Sequence, residues 1–379
     1  MKLETFAFRQ GQGWSVPKFP ELDSEGTLVV VFGASEFLAS SAAIQELTAA
    51  YPNAHFIGCS SAGEIFGTEI HDGSLAVAVV RFEKTRLKHS AVSAASPGES
   101  FAAGEHIAKE LMAPDLRAVF VLSDGIHVNG SELVRGLNSV LPQTVVVTGG
   151  LAGDGSRFKE TWVLLERKPV AGAIVAVGLF GESVIVGHGS QGGWDMFGPH
   201  RMVTKSQSNV LYELDGEPAL ALYKKYLGER ASGLPATGLL FPLAVYPSQG
   251  DGKALVRTIL AVDEEKQSIT FAGDIPQGAK VQFMKANFDR LVEGALNAAR
   301  VTREKTSAGE QMLSIAISCV GRRLVLGERS EEETEATLEV LPKGTRQIGF
   351  YSYGEISPYA TGHCDLHNQT MTLTTISEA

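Results

Sequence analysis

Short runs of consecutive apolar residues, separated by glycine-rich turns and by longer stretches with helical spacing, recur along the whole chain. The first run, residues 28–32, is apolar at every position, which predicts a strand buried on both faces. Similar strands are predicted at residues 55–57, 75–82, 118–122, 145–147, 161–166, 173–180, 314–319 and 370–376. Helical spacing is found at residues 35–50, 130–141, 219–227, 280–302 and 331–341. This alternation predicts an α/β fold of repeated strand-helix-strand units, with mixed sheets flanked by helices.

One eight-residue pattern recurs where predicted strands end. The segments GCSSAGEI (58–65) and GFYSYGEI (349–356) both read G-x-x-S-x-G-E-I, and each lies between two apolar strands. A looser copy, TGGLAGDG (148–155), keeps Gly153 and Asp154 in register with the Gly-Glu pair of the other two. The similarity predicts related units built twice or more. For the looser copy, a chance resemblance between glycine-rich strand ends is the alternative.

The length of 379 residues predicts two domains. We place the boundary near Asp215, which is predicted to cap a helix that has Pro218 in its first turn. The chain is therefore divided into a lead-in (1–27), an N-terminal domain (28–215) and a C-terminal domain (216–379). No low-complexity linker separates the two halves, so we expect associated domains with a sizeable interface.

The charge and the cysteines narrow the class of protein. The net charge is −10, from 33 basic and 43 acidic residues, and an acidic surface disfavours nucleic-acid binding. The three cysteines cannot all pair within one chain and show no C-x-x-C spacing, which favours a reducing compartment. The N-terminus resembles no secretory signal, and no apolar run is long enough for a membrane span. We therefore expect a soluble cytoplasmic protein without membrane insertion.

Three segments together resemble the FIST family. They are IGCSSAGEI (57–65), LYELDGEPALALY (211–223) and the ending 349–372, in which GFYSYGEI is followed by LHNQT. The resemblance extends from about residue 28 to the end and implies an N-terminal and a C-terminal FIST domain. It implies a non-catalytic bacterial sensor of signal transduction that binds a small ligand, such as an amino acid, and regulates a partner. It also points to a stand-alone subset that binds haem and reports nitric oxide to a histidine kinase, as in two-component systems, or to a cyclic-di-nucleotide enzyme.

The recurrent motif supplies candidate ligand-binding acids and hydroxyls. Glu64 and Glu355 occupy the same motif position, where a carboxylate beside glycine amides could hold the amino group of a small ligand. Alternatively, each glutamate caps a turn or pairs with an arginine. Ser60, Ser61 and Ser352 could line the same pocket through their hydroxyls or satisfy turn amides.

Arg322 is the candidate for binding an anionic group. It follows a strand that ends in Cys319, and a guanidinium there could clamp a carboxylate or a haem propionate with two hydrogen bonds. The alternative is a surface salt bridge to the acidic run at residues 328–335.

His188 is the candidate axial ligand if haem is bound. It follows an apolar strand, lies among glycines and precedes Trp194 and Phe197, a setting suited to a flat apolar macrocycle. A strand end that turns through a glycine-rich loop is the alternative. His363, Cys364 and His367 form half of a metal site at most.

A hydrolase that uses Cys59 or Ser61 is the alternative from another class. A nucleophile needs an adjacent base, and neither a local Cys-His signature nor a G-x-S-x-G elbow is present. A small buried cysteine at a strand end is the simpler interpretation of Cys59. No catalytic residue is assigned.

Overall fold

A computed structural model describes residues 1–94, 96–246, 254–303, 311–358 and 362–379. These residues form three mixed sheets and one antiparallel sheet, flanked by helices, which confirms the predicted α/β class. The α-helices span Ala42–Ala50, Ser100–Leu111, Gly130–Asn138, Ala219–Leu227, Phe288–Arg303, Val320–Leu326 and Ser330–Val340. No helix in these ranges is long and apolar enough to cross a membrane.

The first sheet has a parallel pair at its centre and antiparallel strands on both sides. Its strands, in order across the sheet, are Lys168–Val170, Val163–Leu165, His55–Ser61, Thr27–Ala34, Ser74–Arg81, Lys2–Arg9 and Gly13–Trp14. Thr27–Ala34 is buried at every position, as its continuous apolar sequence predicts. Its alternate residues enter two cores: Val29 and Val31 contact helix Ala42–Ala50, whereas Val30 and Phe32 face the other sheets.

The second and third sheets repeat this arrangement. The second contains, in order, Cys364–His367, Gly354–Pro358, Val146–Leu151, Leu116–Ser123, Ala173–Phe180 and Arg86–Ser93. The third contains Val184–Gln191, Met371–Glu378, Leu313–Cys319, Arg346–Ser352, Glu64–Phe66 and Glu69–His71. In each, the two central strands are parallel and their neighbours antiparallel. The three sheets share one apolar core, in which the rings of Phe32 and Phe350 stack 4.6 Å apart.

The recurrent motif marks the point where the chain leaves one sheet for the next. After Ser61 the chain adds a hairpin to the third sheet, after Leu151 to the first sheet, and after Ser352 to the second. We call the described residues within 2–81, within 86–180, and within 184–191 and 288–378 the first, second and third units. The exchange runs in a cycle, so each unit gives a hairpin that completes a neighbour's sheet. All three copies of the motif are therefore equivalent, including the looser one at 148–155.

Backbone hydrogen bonds tie the three crossing points together. The Ala62 amide donates to the Tyr351 carbonyl (2.8 Å), the Gly153 amide to Ser60 (3.1 Å) and the Tyr353 amide to Leu151 (3.1 Å). A Cβ on Gly153 would lie 3.0 Å from both the Ala62 Cβ and the Tyr351 carbonyl oxygen. Only a residue without a side chain lets the strands approach so closely, which accounts for the glycine in the motif.

The fourth sheet is inserted between the outer strand Val184–Gln191 and the helix Phe288–Arg303 of the third unit. Its strands, in order, are Leu255–Arg257, Leu243–Tyr246, Lys280–Lys285, Asp195–Gln207, Val210–Leu214, Ser268–Phe271 and Ile259–Asp263, with Glu217–Pro218 paired to Val210–Leu214. The boundary proposed near Asp215 thus falls in a turn inside this sheet. The prediction that Asp215 caps a helix is wrong, because its carboxylate accepts from the Met202 amide (2.8 Å) and from Arg201 (3.0 Å).

Two other local predictions are wrong for physical reasons. The helix expected at residues 280–302 begins at Phe288, and Lys280–Lys285 is a strand in which Val281 and Phe283 face the core of the fourth sheet. Short apolar runs fit both periods, and strand pairing decides the outcome here. The helix expected from residue 35 begins at Ala42, and Ser35 opens a short 3₁₀ turn without capping it.

Candidate ligand-binding cleft

A cleft of about 530 Å³ opens at the carboxyl ends of the parallel strands of the first sheet. This is the edge at which open α/β sheets commonly bind ligands. The strand ends contribute Ala34 and Ser61, and Phe8 and Phe37 form an apolar wall. The opposite wall is a loop of the second unit, residues 154–157, which the hairpin exchange brings here. The other lining residues are Gln10, Glu36, Ser40, Ala42, Ala43, Ala62, Glu64, Asp72 and Gly73.

Glu64 places a buried acid in the cleft. Its side chain is 1% exposed, and its carboxyl group accepts hydrogen bonds from the Ser74 amide (2.9 Å) and hydroxyl (2.8 Å). Burial raises the pKa of Glu64 to about 8, and the hydrogen bonds from Ser74 only partly offset that effect. Glu64 is therefore mostly protonated at neutral pH, and its charge state responds to any cation that enters the cleft.

Ser61 lies beside Glu64 at the end of strand His55–Ser61. Its hydroxyl accepts from the Gly63 amide (2.8 Å) and also forms a hydrogen bond with Glu64 that favours the ionised carboxylate. Ser61 thus satisfies a turn amide, one of the two roles expected for it, while it lines the cleft.

The loop from the second unit brings an anion and a cation. The Asp154 carboxylate accepts from the amides of Phe158 (2.8 Å), Lys159 (2.9 Å) and Glu160 (3.0 Å), and from the Tyr353 hydroxyl. Burial alone would raise the pKa of Asp154, but the hydrogen bonds from Tyr353 and these amides outweigh burial and lower it. Asp154 is therefore ionised and fixes the loop.

Arg157 extends from this loop across the cleft. Its guanidinium donates to the Asp154 carbonyl (2.7 Å) and the Ser35 hydroxyl (2.7 Å), and it forms an ion pair with Glu36. About half of the side chain is exposed (49%). A planar guanidinium on the rim can exchange its partner for an incoming carboxylate.

Ser352 and Glu355 occupy the equivalent positions of the third unit. The Glu355 carboxyl group accepts from the Ser352 hydroxyl (2.6 Å) and from the Thr370 hydroxyl (2.9 Å) and amide (3.2 Å). Burial raises the pKa of Glu355 to about 8, as it does for Glu64. Glu355 is buried, as Glu64 is, but it does not line the cleft.

Arg322 lies on helix Val320–Leu326 and also lies outside the cleft. Its guanidinium binds the Glu333 carboxylate through two nitrogens, at 2.9 and 2.8 Å, and donates to the carbonyls of Gly192 and Leu291. Arg322 and Glu333 are both 0% exposed. Arg322 therefore binds a carboxylate with two hydrogen bonds, but this carboxylate is Glu333 of the acidic run 328–335 and not a ligand.

The sequence matches the FIST N domain over residues 27–217 and the FIST C domain over residues 219–358. The chain belongs to the FIST family. FIST domains are sensory domains of signal transduction, so the predicted family and sensory class are confirmed. Neither match identifies a ligand or a partner for this FIST protein.

Two individual proteins are also similar to this FIST protein. An uncharacterized protein of Methanocaldococcus jannaschii is 23% identical over 335 residues, which are 80% of this chain and 60% of that protein. The chain therefore spans less than two thirds of its relative's length. A cyanuric acid hydrolase from A. caulinodans aligns over 78% of this chain and 99% of its own, at 11% identity and a TM-score of 0.19. A TM-score this low carries no argument about fold or activity.

The two residues that precede Ser61 in this FIST protein are buried and do not line the cleft. Ser60 is 0% exposed, and its hydroxyl accepts from the Trp162 amide (3.0 Å), which attaches the hairpin of the second unit. Cys59 is also 0% exposed, and burial raises the pKa of its thiol well above the usual value. A protonated, enclosed thiol is a poor nucleophile.

The cleft of this FIST protein does not fit haem. Among the described residues that line it, none is the His, Cys, Met or Tyr that haem iron requires. His188 lies elsewhere, on the outer strand Val184–Gln191 of the third sheet. The glycines on either side of it accommodate helix Phe288–Arg303, since a Cβ on Gly189 would lie 2.1 Å from the Ala298 carbonyl oxygen. Haem binding through His188 stays a prediction.

The metal half-site predicted from His363, Cys364 and His367 lies outside the cleft. Cys364 and His367 belong to strand Cys364–His367, and burial lowers the pKa of His367 to about 4. Within the described ranges, no group of three or more His, Cys, Asp or Glu residues is placed to hold a metal ion.

Sequence reasoning missed the residues that the second unit contributes. Asp154 was recognised as a motif residue, but its loop and Arg157 were not assigned to a site. The threefold repeat of the motif was the available signal, because related units can each place the hairpin after the motif in a neighbour's sheet. Asp72 was also missed; it lies in the turn before strand Ser74–Arg81 and forms an ion pair with Arg323 (2.8 Å).

Proposed function

We propose that this FIST protein is a non-catalytic sensor that binds a small ligand with an ammonium and a carboxylate group, of the amino-acid class, in the cleft of the first unit. The observation that carries the proposal is the meeting of Glu64, Ser61 and Arg157 around one cavity of about 530 Å³. That volume lies within the usual range for small-molecule sites.

The charges favour a ligand with a cationic group. Four acids line the cleft, at Glu36, Glu64, Asp72 and Asp154, against one lining arginine. Glu36 and Asp72 form ion pairs with Arg157 and Arg323, and Asp154 is held by amides. Glu64 is mostly protonated and forms no ion pair in the described part of the chain, so an ammonium near it gains an acceptor and, once the proton leaves, a counter-charge.

The remaining walls suit the other parts of such a ligand. Arg157 can take a carboxylate through its fork of N–H donors, and Phe8 and Phe37 offer an apolar surface to a side chain. The hydroxyls of Ser40 and Ser61 are within the same cavity and can fix its orientation.

Transmission of the signal would begin at the loop of residues 154–157. This loop belongs to the second unit, so a ligand held between Glu64 and Arg157 contacts the first and second units. Asp154 joins the same loop to Tyr353 of the third unit. A ligand that binds one position of the loop more tightly shifts the population toward that position. We propose that a separate protein, such as a histidine kinase or a cyclic-di-nucleotide enzyme, reads this change.

Two features support a non-catalytic role. The buried thiol of Cys59 has a raised pKa, and the described lining of the cleft offers Ser61 no histidine as a general base. A neighbouring acid that is itself mostly protonated at neutral pH, as Glu64 is, makes a poor base for a serine hydroxyl.

The test is a thermal-shift and calorimetric screen of the twenty amino acids against the full chain. We expect one or a few to raise Tm, because a ligand that binds the native state stabilises it. Glu64→Gln and Arg157→Gln should each weaken binding by about tenfold or more, the effect of one charge-assisted hydrogen bond. The control is Glu335→Gln, an exposed acid outside the cleft, which should bind as the unaltered protein does.

The outcomes separate this proposal from its rival. If no amino acid binds, or if the Glu64 and Arg157 variants bind as tightly as the control, the proposal fails. Haem would instead give a stoichiometric Soret band that shifts with nitric oxide and disappears in His188→Ala but not in His127→Ala. A colourless protein that does not take up added haem would eliminate that rival.

A further inference from the structure

A second cleft, of about 250 Å³, lies at the equivalent edge of the second sheet. Leu151 ends its strand there as Ser61 does in the first unit, and Gly125 and Ile126 follow the partner strand at the positions of Glu36 and Phe37. The opposite wall comes from the inserted fourth sheet and consists of Asn209, Leu260, Phe271, Ala272 and Asp274. The remaining lining residues are Pro97, Val128, Asn129, Gly130, Phe158 and Tyr353.

The strand end that lines this second cleft is apolar, where that of the first is polar. Leucine replaces serine at the strand end, and Val128 and Phe271 add further apolar surface. The rings of Phe158 and Tyr353 stack with their centroids 4.4 Å apart and their planes inclined by 15°. Cavities of about 150 Å³ lined by such residues bind benzene, so 250 Å³ leaves room for a larger flat molecule.

One polar atom in the second cleft lacks a partner. The Asp274 Oδ1 atom is shielded from solvent and accepts no hydrogen bond within the part of the chain that the structure describes. A buried acceptor without a partner is unfavourable, so the Asp274 carboxyl group gains free energy if a bound molecule supplies a donor. The neighbouring polar side chains have other partners, since Asn129 caps helix Gly130–Asn138 and Asn209 donates to the Phe271 carbonyl (2.8 Å).

A buried cation supports the negative charge of Asp274. Arg257 is 5% exposed and donates to the carbonyls of Asp274 (3.1 Å) and Leu366 (3.0 Å). It stands close enough to Asp274 for a favourable charge interaction. A carboxyl acceptor at the edge of an aromatic cavity favours a molecule with an N–H donor on an apolar frame.

We propose that the second cleft is a separate binding site for a small aromatic molecule that carries one N–H donor, of the indole class. The ring lies among Leu151, Phe158 and Tyr353, and its N–H donates to Asp274. Because the walls belong to the second unit and to the fourth sheet, the bound molecule also holds the inserted sheet against the repeats.

Titration of indole into the full chain, followed by isothermal calorimetry and by saturation-transfer NMR, tests this site. Asp274→Ala removes the acceptor and should weaken indole binding by about tenfold. Leu260→Trp fills the rim from a position that is 40% exposed, so the fold tolerates it, and should abolish binding. Glu265→Ala removes an exposed acid from the same sheet outside the cleft and is the matched control. Thermal unfolding of each variant verifies that it is folded.

Each outcome decides the matter. Binding to the unaltered protein and to Glu265→Ala, weakened in Asp274→Ala and lost in Leu260→Trp, supports the site. Absence of binding at millimolar indole overturns it. Equal binding by all four proteins places indole elsewhere and also overturns it, as does binding that is lost in Ser61→Leu but kept in Asp274→Ala.

Discussion

Glu64 and Glu355 show how one motif gives an open site in one unit and a sealed structure in another. Each acid accepts from a hydroxyl residue at the start of a following strand, Ser74 or Thr370, and has a strand-end serine beside it. Both acids are buried, but Glu64 lines a cleft of about 530 Å³ and Glu355 does not. The motif therefore builds a buried acid, and the surroundings determine whether a ligand can reach it.

The segment after the first parallel strand makes the difference. In the first unit, strand Thr27–Ala34 runs into a short 3₁₀ turn, and the helix starts only at Ala42. In the third unit, helix Val320–Leu326 starts directly after its strand. Gly321 of that helix lies against the Gln369 side chain, and a Cβ there would be 2.5 Å from the Gln369 amide nitrogen. A helix that begins at once covers the strand ends, and a delayed one leaves them open.

The largest expected loss of stability comes from a substitution in the third unit, where the motif acid is enclosed. Arg322→Ala leaves the buried Glu333 carboxylate unpaired, and removing one partner of a buried ion pair costs about 3–5 kcal/mol. Urea unfolding should show this loss in the free energy of unfolding. Arg346→Ala, which removes a half-exposed pair with Glu4, should cost about 1 kcal/mol or less. If Arg322→Met combined with Glu333→Leu is less stable than Arg322→Ala alone, then the cost does not come from the unpaired charge.

The paired serine variants test the comparison directly. Ser352→Ala removes a donor from the enclosed Glu355 and should cost about 1–3 kcal/mol, the penalty for a buried polar group that loses its partner. Ser61→Ala should cost less, because water in the cleft can replace the hydroxyl at the Gly63 amide. Ligand affinity should change in the opposite order, with a loss in Ser61→Ala and none in Ser352→Ala. Equal stability losses in the two variants would show that the open and sealed sites do not differ as described.

The sequence predicts much of this comparison at the level of elements. Strand Ala173–Phe180 and helix Ala219–Leu227 have the bounds predicted from their apolar pattern, and the motif correctly marks three equivalent strand ends. Apolar periodicity shows which residues form a strand, but it does not show which sheet the strand joins. The exchange of hairpins therefore remained hidden, and with it the contribution of Arg157 to the first cleft.

The same limitation explains where the site prediction differs from the observed geometry. Ser352 and Glu355 were expected to share a pocket with Ser61 and Glu64, because the motifs match. The cyclic arrangement places them in different units, since each motif ends a different sheet. Arg322 was expected to clamp a ligand carboxylate, but it pairs with Glu333 of the acidic run 328–335, as the alternative interpretation held. The pair is buried and not on the surface, which the sequence did not indicate.

A change in protonation alters the fewest atoms, and it is expected for both acids. Burial raises the pKa of both Glu64 and Glu355 to about 8, above the value of an unfolded glutamate. Each therefore holds a proton in the native state that the unfolded chain releases, so the stability contributed by each falls as pH rises from about 4.5 to 8. Glu64→Gln and Glu355→Gln should each flatten the measured pH dependence of the free energy of unfolding in that window.

A cationic ligand should affect only the open acid. An ammonium group beside Glu64 favours its ionised form, so binding should release up to one proton below pH 8, and affinity should rise as pH increases from 6 to 8. Calorimetry of the binding amino acid in two buffers of different ionisation enthalpy measures the released protons. The release should persist in Glu355→Gln and vanish in Glu64→Gln. If the proton release persists in Glu64→Gln, then another group in the cleft contacts the ammonium. In that case the accessibility of Glu64, compared with that of Glu355, does not determine which ligand binds.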